Sequence, residues 1–474
     1  MARKRTGLAK ARKKAARKAN PIAPAPAADA AGVFSAALGH HRRGDVKTAL
    51  RGYAQALRLD PGFADAYANM GVALRTQGRY GAAIACYRRA LALGPESAGI
   101  RSNLGNALRD LDRYDEALAA HRRAVELDAA SPDAHYNLGL VLRDVGRFDD
   151  ALAALDRAIS LRAGFADYRW DRALTLLQKG DLEKGFEEYE WRWKLKSTPP
   201  PRFGQPLWDG SDLKGRTIML SREQGMGDMI QFCRYASMVK DRGGTVMLET
   251  QPELARLLST APGVDKVVTP DTPAPRFDVQ IPVLSLPRIF KTTLETVPDR
   301  VPYVTAPELH NLHLSRPAGS KLAVGIVWAG SPTQANDRRR SCPVDRFLGL
   351  MGLANVTFYS LQKGEAAGQL RRSGAAALVT DLGGRLKDFA DTAAVIDQLD
   401  LVIAVDTAVA HLAGALGRPV WVVLSYAGDW RCPAGREDSP WYPTMRLFQQ
   451  DRPADWDGVM ERVVAALQDF PTPS

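Results

Sequence analysis

GDVKTALRGYAQALRLDP at residues 44–61 and GRYGAAIACYRRALALGP at residues 78–95 are two copies of one pattern, 34 residues apart. Glycine, alanine, tyrosine, alanine and proline recur at five matching positions: Gly44, Ala49, Tyr53, Ala56 and Pro61, then Gly78, Ala83, Tyr87, Ala90 and Pro95. Small residues let two helices approach closely, the aromatic residue fills the space between them, and proline ends the second helix. The pattern predicts antiparallel helix hairpins in series.

A period of 34 residues is typical of tetratricopeptide repeats. We predict about five hairpins within residues 31–198, the last diverging and ending near Trp191 and Trp193. One hairpin cannot bury its apolar face alone, so we expect a stacked superhelix whose inner groove holds another protein or peptide. The two tryptophans are predicted to pack the array on the next domain. The alternative is that the repeats dimerise the chain or pack on the rest of it.

The net charge of +11 is concentrated at the start of the chain. Nine Lys or Arg and no acid lie in residues 1–20, so the remainder carries only +2. We interpret residues 1–30 as a disordered basic tail and Pro/Ala linker, and the composition argues against nucleic-acid binding apart from that tail. Four separated cysteines, no signal-peptide pattern and no apolar run of about 18 residues predict a cytoplasmic protein without a membrane span.

Short apolar runs alternate with amphipathic segments from Arg216 onward, which is typical of doubly wound α/β domains. We predict one lobe over residues 206–310, with strands near 216–221, 245–250, 266–270 and 278–283 and a helix near 228–241. A second lobe is predicted over residues 320–470, with five strands near 322–329, 355–361, 377–382, 401–406 and 419–424. In open parallel sheets, ligands bind at the carboxyl ends of the strands, and two facing lobes place a cleft between those ends.

The apolar run LVIAV at residues 401–405 leads directly into DTAVAHLAGALGRP at residues 406–419. The free N–H groups and positive end of the helix that starts there suit a diphosphate, and Thr407 adds a hydroxyl. Asp406 is positioned to accept bonds from sugar hydroxyls, and His411 lies one turn into the helix. The alternative is that Asp406 only caps the helix and His411 is a core residue.

This segment resembles the donor-binding motif of family 9 glycosyltransferases, the heptosyltransferase-like group with the GT-B fold. SREQGMGDMIQ at residues 221–231 resembles the amino-terminal Gly-Asp motif of the same group. The likeness to bacterial proteins that fuse tetratricopeptide repeats to such a domain spans roughly residues 35–466. It implies two Rossmann-like lobes, a nucleotide-sugar as donor substrate, and Asp406, Thr407, Ala408 and His411 as donor-binding residues. It does not imply a lipopolysaccharide acceptor.

Asp228 is the candidate general base, because the resemblance assigns that role to its position and a carboxylate in the cleft can remove a proton from an acceptor hydroxyl. Glu223 is the second candidate. The alternative for Asp228 is a helix cap. A dinucleotide site is disfavoured, because Ile230 replaces the third glycine of that fingerprint and Asp228 would repel a pyrophosphate.

A departing nucleoside diphosphate builds up negative charge, which fixed cations or a metal must neutralise. Arg338, Arg339 and Arg340 follow one predicted strand end and Lys363 follows another, which favours catalysis without a metal or other cofactor; the alternative is a surface charge run. The resemblance implies that the loop with Arg339, Arg340 and Ser341 contacts the donor phosphates, and Lys363 is a further candidate for such a contact. Trp430, Trp441 and Tyr442 are candidates either for stacking on the donor or for core packing.

The sequence thus predicts a glycosyltransferase whose repeats select the acceptor, a protein or a cell-surface glycan. One alternative is a repeat scaffold with a degenerate, non-catalytic domain. Another is a protein-modifying transferase of the family 41 type, whose repeats also precede a GT-B unit. The donor base and sugar, the stereochemistry and the oligomeric state are left open by the sequence.

Overall fold

The computed structural model describes residues 29–200, 202–308, 312–332, 334 and 337–471. Residues 1–28, with the predicted basic tail and most of the linker, lie outside the described residues. The chain divides into two compact units, one ending at Pro95 and the other beginning at Glu96. No helix in the described part of the chain is long and apolar enough to cross a membrane.

The first unit contains two helix hairpins. Its helices are α1 (Ala30–Arg42), α2 (Val46–Leu59), α3 (Ala64–Thr76) and α4 (Tyr80–Leu93). A Cβ atom at Gly71 would lie 2.6 Å from the ring of Tyr87, so the glycine lets the aromatic ring fit against its backbone. The second helix of each hairpin ends two residues before Pro61 or Pro95, as predicted.

The second unit begins with three more hairpins. Their helices are α5 (Ala98–Asp110), α6 (Tyr114–Leu127), α7 (Pro132–Asp144), α8 (Phe148–Leu161), α9 (Ala166–Lys179) and α10 (Leu182–Tyr189). The close approach recurs, because a Cβ at Gly105 would lie 2.5 Å from His121 and one at Gly139 would lie 2.9 Å from Leu155. The predicted repeat architecture is therefore confirmed.

The turn inside each hairpin requires a left-handed residue, and glycine supplies it in four of the five hairpins. These residues are Gly44 (φ 82°), Gly78 (φ 72°), Gly146 (φ 76°) and Gly180 (φ 97°). The third hairpin instead has Asp112, with φ 58°. Left-handed backbone is unfavourable for side chains other than glycine, although Asp tolerates it better than most. This departure from the repeat indicates that the Asp112 carboxylate makes a contact of its own.

The first lobe is a four-stranded parallel sheet in the order β3-β2-β1-β4. All four strands lie where the sequence predicts them, whereas the single helix predicted over residues 228–241 is interrupted by a 3₁₀ turn at Cys233–Tyr235. The elements are β1 (Thr217–Ser221), α11 (Met226–Phe232), α12 (Ala236–Lys240), β2 (Thr245–Glu249), α13 (Pro252–Leu258), β3 (Lys266–Val268), β4 (Val279–Pro282) and α14 (Leu286–Ile289).

The second lobe is a six-stranded parallel sheet in the order β10-β9-β8-β5-β6-β7. Five strands were predicted, and the sixth, at the edge beside β9, was not. Its elements are β5 (Leu322–Val327), α15 (Asp337–Arg340), α16 (Leu348–Met351), β6 (Val356–Ser360), α17 (Gln369–Arg372), β7 (Val379–Asp381), α18 (Phe389–Ile396), β8 (Leu401–Val405), α19 (Ala408–Ala415), β9 (Val420–Leu424), β10 (Met445–Gln449) and α20 (Trp456–Gln468). Two parallel lobes of this kind are the predicted GT-B arrangement.

The last hairpin docks on both lobes through Phe186, Tyr189 and Arg192. The Phe186 ring lies 5.8 Å from that of Trp430, edge to face, and all three docking side chains are buried. The predicted role of Trp191 and Trp193 is corrected here. Both are only half-buried, and each ring is covered by a cation of the array itself, Lys194 over Trp191 and Arg192 over Trp193.

Candidate active site

A cavity of 340 Å³ lies at the carboxyl ends of β8 and β9, between the two lobes and the inner helices α5, α7 and α9 of the array. Six ionisable side chains from the lobes line it: Asp228, Arg339, Arg340, Asp406, Asp429 and Arg431. The array contributes Arg109, Arg143, Asp144, Trp170, Leu174 and Gln178. A larger hollow of 770 Å³ beside β10 and α20 contains none of the predicted site residues.

Asp228 is held at the start of α11, with 7% of its surface exposed. One carboxylate oxygen, Oδ2, accepts a hydrogen bond from the N–H of Gly225 at 3.0 Å. The other, Oδ1, accepts from Nε of Arg431 at 3.1 Å. Asp228 therefore caps its helix and also faces the cavity, so the two interpretations of this residue are compatible.

The loop after β9 supplies two residues that sequence reasoning missed, Asp429 and Arg431. The guanidinium of Arg431 lies 3.0 Å from Asp429 Oδ1 and 4.2 Å from the centre of the Trp430 ring. Burial alone would raise the pKa of Asp429, but the adjacent Arg431 outweighs it and the pKa lies below its usual value. The sequence did contain a signal for them, since an acid and an arginine flank a tryptophan in the loop after an apolar strand.

Asp406 lies at the tip of β8, where the sequence predicts a donor-binding carboxylate. Burial raises its pKa to about 6, and the negative charge of Asp429 adds to this effect. Arg431 and Arg340 oppose the rise. The Arg340 guanidinium also donates to the backbone carbonyl of Asp406 at 3.3 Å, which places it beside this carboxylate.

Thr407 and Ala408 begin α19, whose first N–H groups lie directly beside Asp406. The Thr407 side chain does not cap the helix, and its Oγ1 is buried without a hydrogen-bond partner among the described residues. A buried hydroxyl without a partner costs roughly 1–3 kcal/mol unless a ligand satisfies it. This arrangement fits an anionic ligand group such as a phosphate.

His411 lies deeper in the same helix and is 8% exposed. Burial lowers its pKa to about 3, and Arg431 contributes in the same direction, so the imidazole is neutral at neutral pH. Nδ1 pairs with the hydroxyl of Tyr442 at 3.0 Å, and Nε2 lies 3.9 Å from Asp406 Oδ1. A Cβ at Gly227 would lie 2.9 Å from the His411 ring, so this residue also packs the two lobes together.

Arg339 lines the same cavity, and it is also paired with the array. Its Nε lies 2.9 Å from Oδ1 of Asp112, the residue that replaces the turn glycine of the third hairpin, and Nη1 lies 3.6 Å from Asp144. It also donates to the carbonyl of Arg109. Arg339 thus fastens the second lobe to the array. Ser341 instead donates to Asp337 within its own loop, 3.0 Å away.

Lys363 and Glu223 are also placed away from the cavity lining. The Lys363 ammonium donates to the carbonyl of Leu386. Glu223 is buried and pairs with Arg192 of the array at 2.6 Å, so its carboxylate helps to join the array to the first lobe. Trp441 and Tyr442 are 1% exposed and serve packing, whereas Trp430 is buried but reaches the cavity.

Protonation of Asp406 should strengthen binding of a nucleoside diphosphate. As the pH falls through about 6, the carboxyl gains a proton and a negative charge beside the ligand disappears. We expect affinity to rise about threefold to tenfold between pH 7.5 and 5.5, beyond the rise shown by Asp406→Asn. Calorimetric titration of both proteins across this range measures the difference. Equal pH profiles for the two proteins would contradict the prediction.

No group of three His, Cys, Asp or Glu side chains in the described part of the chain is arranged to hold a metal ion. Among the ionic side chains of the cavity, Arg431 pairs with Asp228 and Asp429, and Arg109 pairs with Asp144. The site therefore combines the carboxylate of Asp228 from the first lobe with the carboxylate of Asp406 and the start of α19 from the second.

Comparison with known families agrees with this architecture. Models of tetratricopeptide repeats match residues 53–85, 71–109, 105–146 and 136–190. The model described as glycosyltransferase family 9 (heptosyltransferase) matches residues 354–427, which include β8 and α19. The chain is thus a glycosyltransferase-like protein with amino-terminal tetratricopeptide repeats, and both predicted resemblances are confirmed.

Among individual proteins, the chain is similar to Protein FlbA of Caulobacter vibrioides, with 29% identity over 327 residues. The match covers 63% of this chain and 54% of FlbA, so the chain spans about half the length of that relative. Solved structures similar to it include YrrB, described as a TPR protein with an unusual peptide-binding site (27% identity, 36% of this chain, 88% of YrrB, TM-score 0.32). Another is MamA (27% identity, 33% of this chain, 91% of MamA, TM-score 0.31).

Proposed function

We propose that this protein transfers a sugar from a nucleotide-activated donor to a polypeptide acceptor held by its repeats. The observation that carries the proposal is the shared cavity, in which Asp228 of the first lobe and Asp406 of the second are enclosed together with the inner helices of the array. A cleft between two lobes is the usual place for a nucleotide-sugar in this architecture.

The donor diphosphate is assigned to the start of α19. There the unpartnered Thr407 hydroxyl, the free N–H groups and Arg340 supply hydrogen bonds and positive charge. When the bond between the sugar and the diphosphate breaks, these groups stabilise the charge that develops on the leaving oxygen. We assign that work to them and propose a transfer that does not depend on a metal ion.

Asp228 is assigned the role of general base. The acceptor hydroxyl attacks the anomeric carbon of the sugar, its proton passes to the carboxylate of Asp228, and the nucleoside diphosphate departs with the bonding electron pair. Support comes from the position of Asp228 on the lobe opposite the donor helix, with its carboxylate on the cavity wall.

The acceptor is assigned to the inner face of the array, because side chains of α7 and α9 form part of the cavity wall. Arg143, Trp170 and Leu174 project there. A polypeptide lying along this face would present a side-chain hydroxyl or amide to the donor without leaving the array. This favours a protein acceptor over a free glycan.

The proposal is tested by incubating the purified protein with a panel of nucleotide-sugars and with proteins from cells that lack this chain. We expect a glycan to appear on a protein that the repeats also capture, detected by mass spectrometry. Donor binding with no turnover on any donor would instead favour the non-catalytic scaffold.

Trp170→Ala should weaken acceptor use selectively. An aromatic anchor at the centre of a binding surface contributes roughly 1–2 kcal/mol, so we expect the acceptor KM to rise about tenfold while the donor KM is unchanged. The matched control is Trp191→Ala, since Trp191 lies outside the cavity lining beneath Lys194. Because Trp170 also packs on Tyr189, with ring centres 4.7 Å apart, the melting temperature of each variant is compared with that of the parent. An unchanged acceptor KM would remove this face from the acceptor site.

A further inference from the structure

Arg431 lies at the centre of the ionic groups of the cavity. It contacts Asp228 through Nε at 3.1 Å and Asp429 through Nη1 at 3.0 Å, and its side chain is only 14% exposed. Its charge also reaches further, because it opposes the rise in the pKa of Asp406 and contributes to the fall in that of His411. One guanidinium therefore acts on the carboxylate of Asp228 in the first lobe and on that of Asp406, at the end of β8, in the second.

In this arrangement most of the acceptor sites of the Asp228 carboxylate are already occupied. Its Oδ2 accepts the Gly225 N–H and its Oδ1 accepts two N–H groups of Arg431. Three of its roughly four lone-pair sites are thus taken, two of them by the guanidinium of Arg431. The Gly225 bond belongs to the helix cap, so Arg431 is the group that must move to uncover the base.

The backbone on both sides of Arg431 is hydrogen-bonded to the array, so we assign any movement to its side chain. The array holds the loop on both sides of it, since Gln178 Nε2 donates to the carbonyl of Ala427 at 2.5 Å and the Ala434 N–H donates to the carbonyl of Gln178 at 3.4 Å. The ring of Tyr426 also lies 5.7 Å from that of Tyr114 in α6. Asp429 then provides a pivot for the guanidinium.

A diphosphate offers Arg431 a stronger partner than a single carboxylate. It carries more charge, and its paired oxygens match the planar fork of a guanidinium. We infer that Arg431 binds the donor diphosphate and, by leaving Asp228 to do so, couples donor binding to uncovering of the catalytic base. This inference rests on the proposed function. It adds a donor ligand outside the α19 motif and an order of events in which the base is free only when the donor is bound.

The inference predicts a coupling that can be measured without turnover. Binding of the diphosphate must break the pair between Arg431 and Asp228, so Asp228→Asn should strengthen binding of nucleoside diphosphates about threefold to tenfold. Arg431→Gln should weaken it tenfold or more, and adding Asp228→Asn to that variant should have little effect. The parent, the two single variants and the double variant form a double-mutant cycle. Calorimetric titration of each with UDP, GDP, ADP and CDP measures the coupling. Arg436→Gln, which removes an exposed arginine paired with Asp438 in the same loop region, is the control and should bind as the parent does.

The outcomes separate this inference from the proposed function. If Asp228→Asn strengthens binding equally with and without Arg431, the effect is that of a lost charge and the inference is overturned. Tight binding with the predicted coupling but no transfer would overturn the proposed function and keep the inference. Failure of all four diphosphates to bind the parent would overturn both. Should Arg431→Gln not fold, Arg431→Lys keeps the charge without the planar fork, and the same loss of coupling is expected from it.

Discussion

Asp228→Asn is expected to lower the rate of sugar transfer about 10²- to 10⁴-fold, the usual range for loss of a general base. Asparagine keeps the size of the side chain and still accepts the Gly225 N–H that caps α11, so the helix should form normally. It cannot take up the proton of the acceptor hydroxyl. The measurement is kcat at saturating donor and acceptor, together with the melting temperature.

The matched control for this variant is Asp212→Asn, an exposed acid on the surface of the first lobe, with a side chain 71% exposed. Transfer by the control should equal that of the parent. A variant at residue 228 that keeps more than a tenth of the parental kcat would show that another group takes the proton. Glu223 would be a poor substitute, because its carboxylate is buried in the pair with Arg192.

Arg192→Met is expected to lower the free energy of unfolding of the second unit by about 3 kcal/mol or more, because it leaves a buried acid without its partner. Arg192 is 2% exposed and donates to Glu223 at 2.6 Å, to Glu190 at 2.8 Å and to Ser285 at 2.7 Å. Burial raises the pKa of Glu223 even with the arginine present, and Arg192 limits that rise. Urea denaturation followed by tryptophan fluorescence measures the loss.

The pH dependence of this loss has a definite sign. Glu223 has a folded-state pKa above its unfolded value, so its contribution to stability is greatest at low pH and is lost as the pH rises through the folded pKa. Without Arg192 the rise in the pKa of Glu223 should be larger. Arg192→Met should therefore be less destabilising at pH 5, where more of Glu223 is protonated, than at pH 8. Adding Glu223→Gln should recover part of the loss.

The control for this variant is Arg113→Met, at an exposed pair with Glu116, which should change the free energy of unfolding by less than about 1 kcal/mol. Equal losses for the two arginine variants would show that the buried pair does not hold the array on the lobes.

The repeats and the donor motif were predictable because the contacts that define them are local. A hairpin closes within one 34-residue period, so Gly71 and Tyr87 are visible as a pair in the sequence. The junction at Asp406 and Thr407, where β8 runs directly into α19, is likewise visible in the sequence. In both cases the backbone between the partners is short and regular, and spacing alone fixes which side chains meet.

The strand ends did not predict which cations lie near Asp406, because this depends on the order of the strands in the sheet. Lys363 follows β6, which is separated from β8 by β5, so its strand end lies about 10 Å from that of Asp406. Chain order does not reveal which strand ends are neighbours. Arg340 follows β5, which pairs directly with β8, and it does reach Asp406.

Arg339 contacts the array because of one unusual residue. Asp112 occupies a turn position that is glycine in the neighbouring hairpins, and its carboxylate receives the guanidinium of Arg339. The departure from the repeat was visible in the sequence, but its partner lies more than 200 residues away and belongs to no repeat.

By itself, the sequence determined the hairpins, the two parallel lobes, and a helix end suited to a diphosphate, because short-range spacing and apolar periodicity fix each of them. Only the tertiary structure decided that the inner face of the array closes over the cleft, and that Arg431, 203 residues from Asp228, covers the candidate base. The physical reason is that an ion pair between distant loops leaves no period in the sequence. It forms only where packing of the array and the lobes removes both charges from water and leaves each as the other's partner.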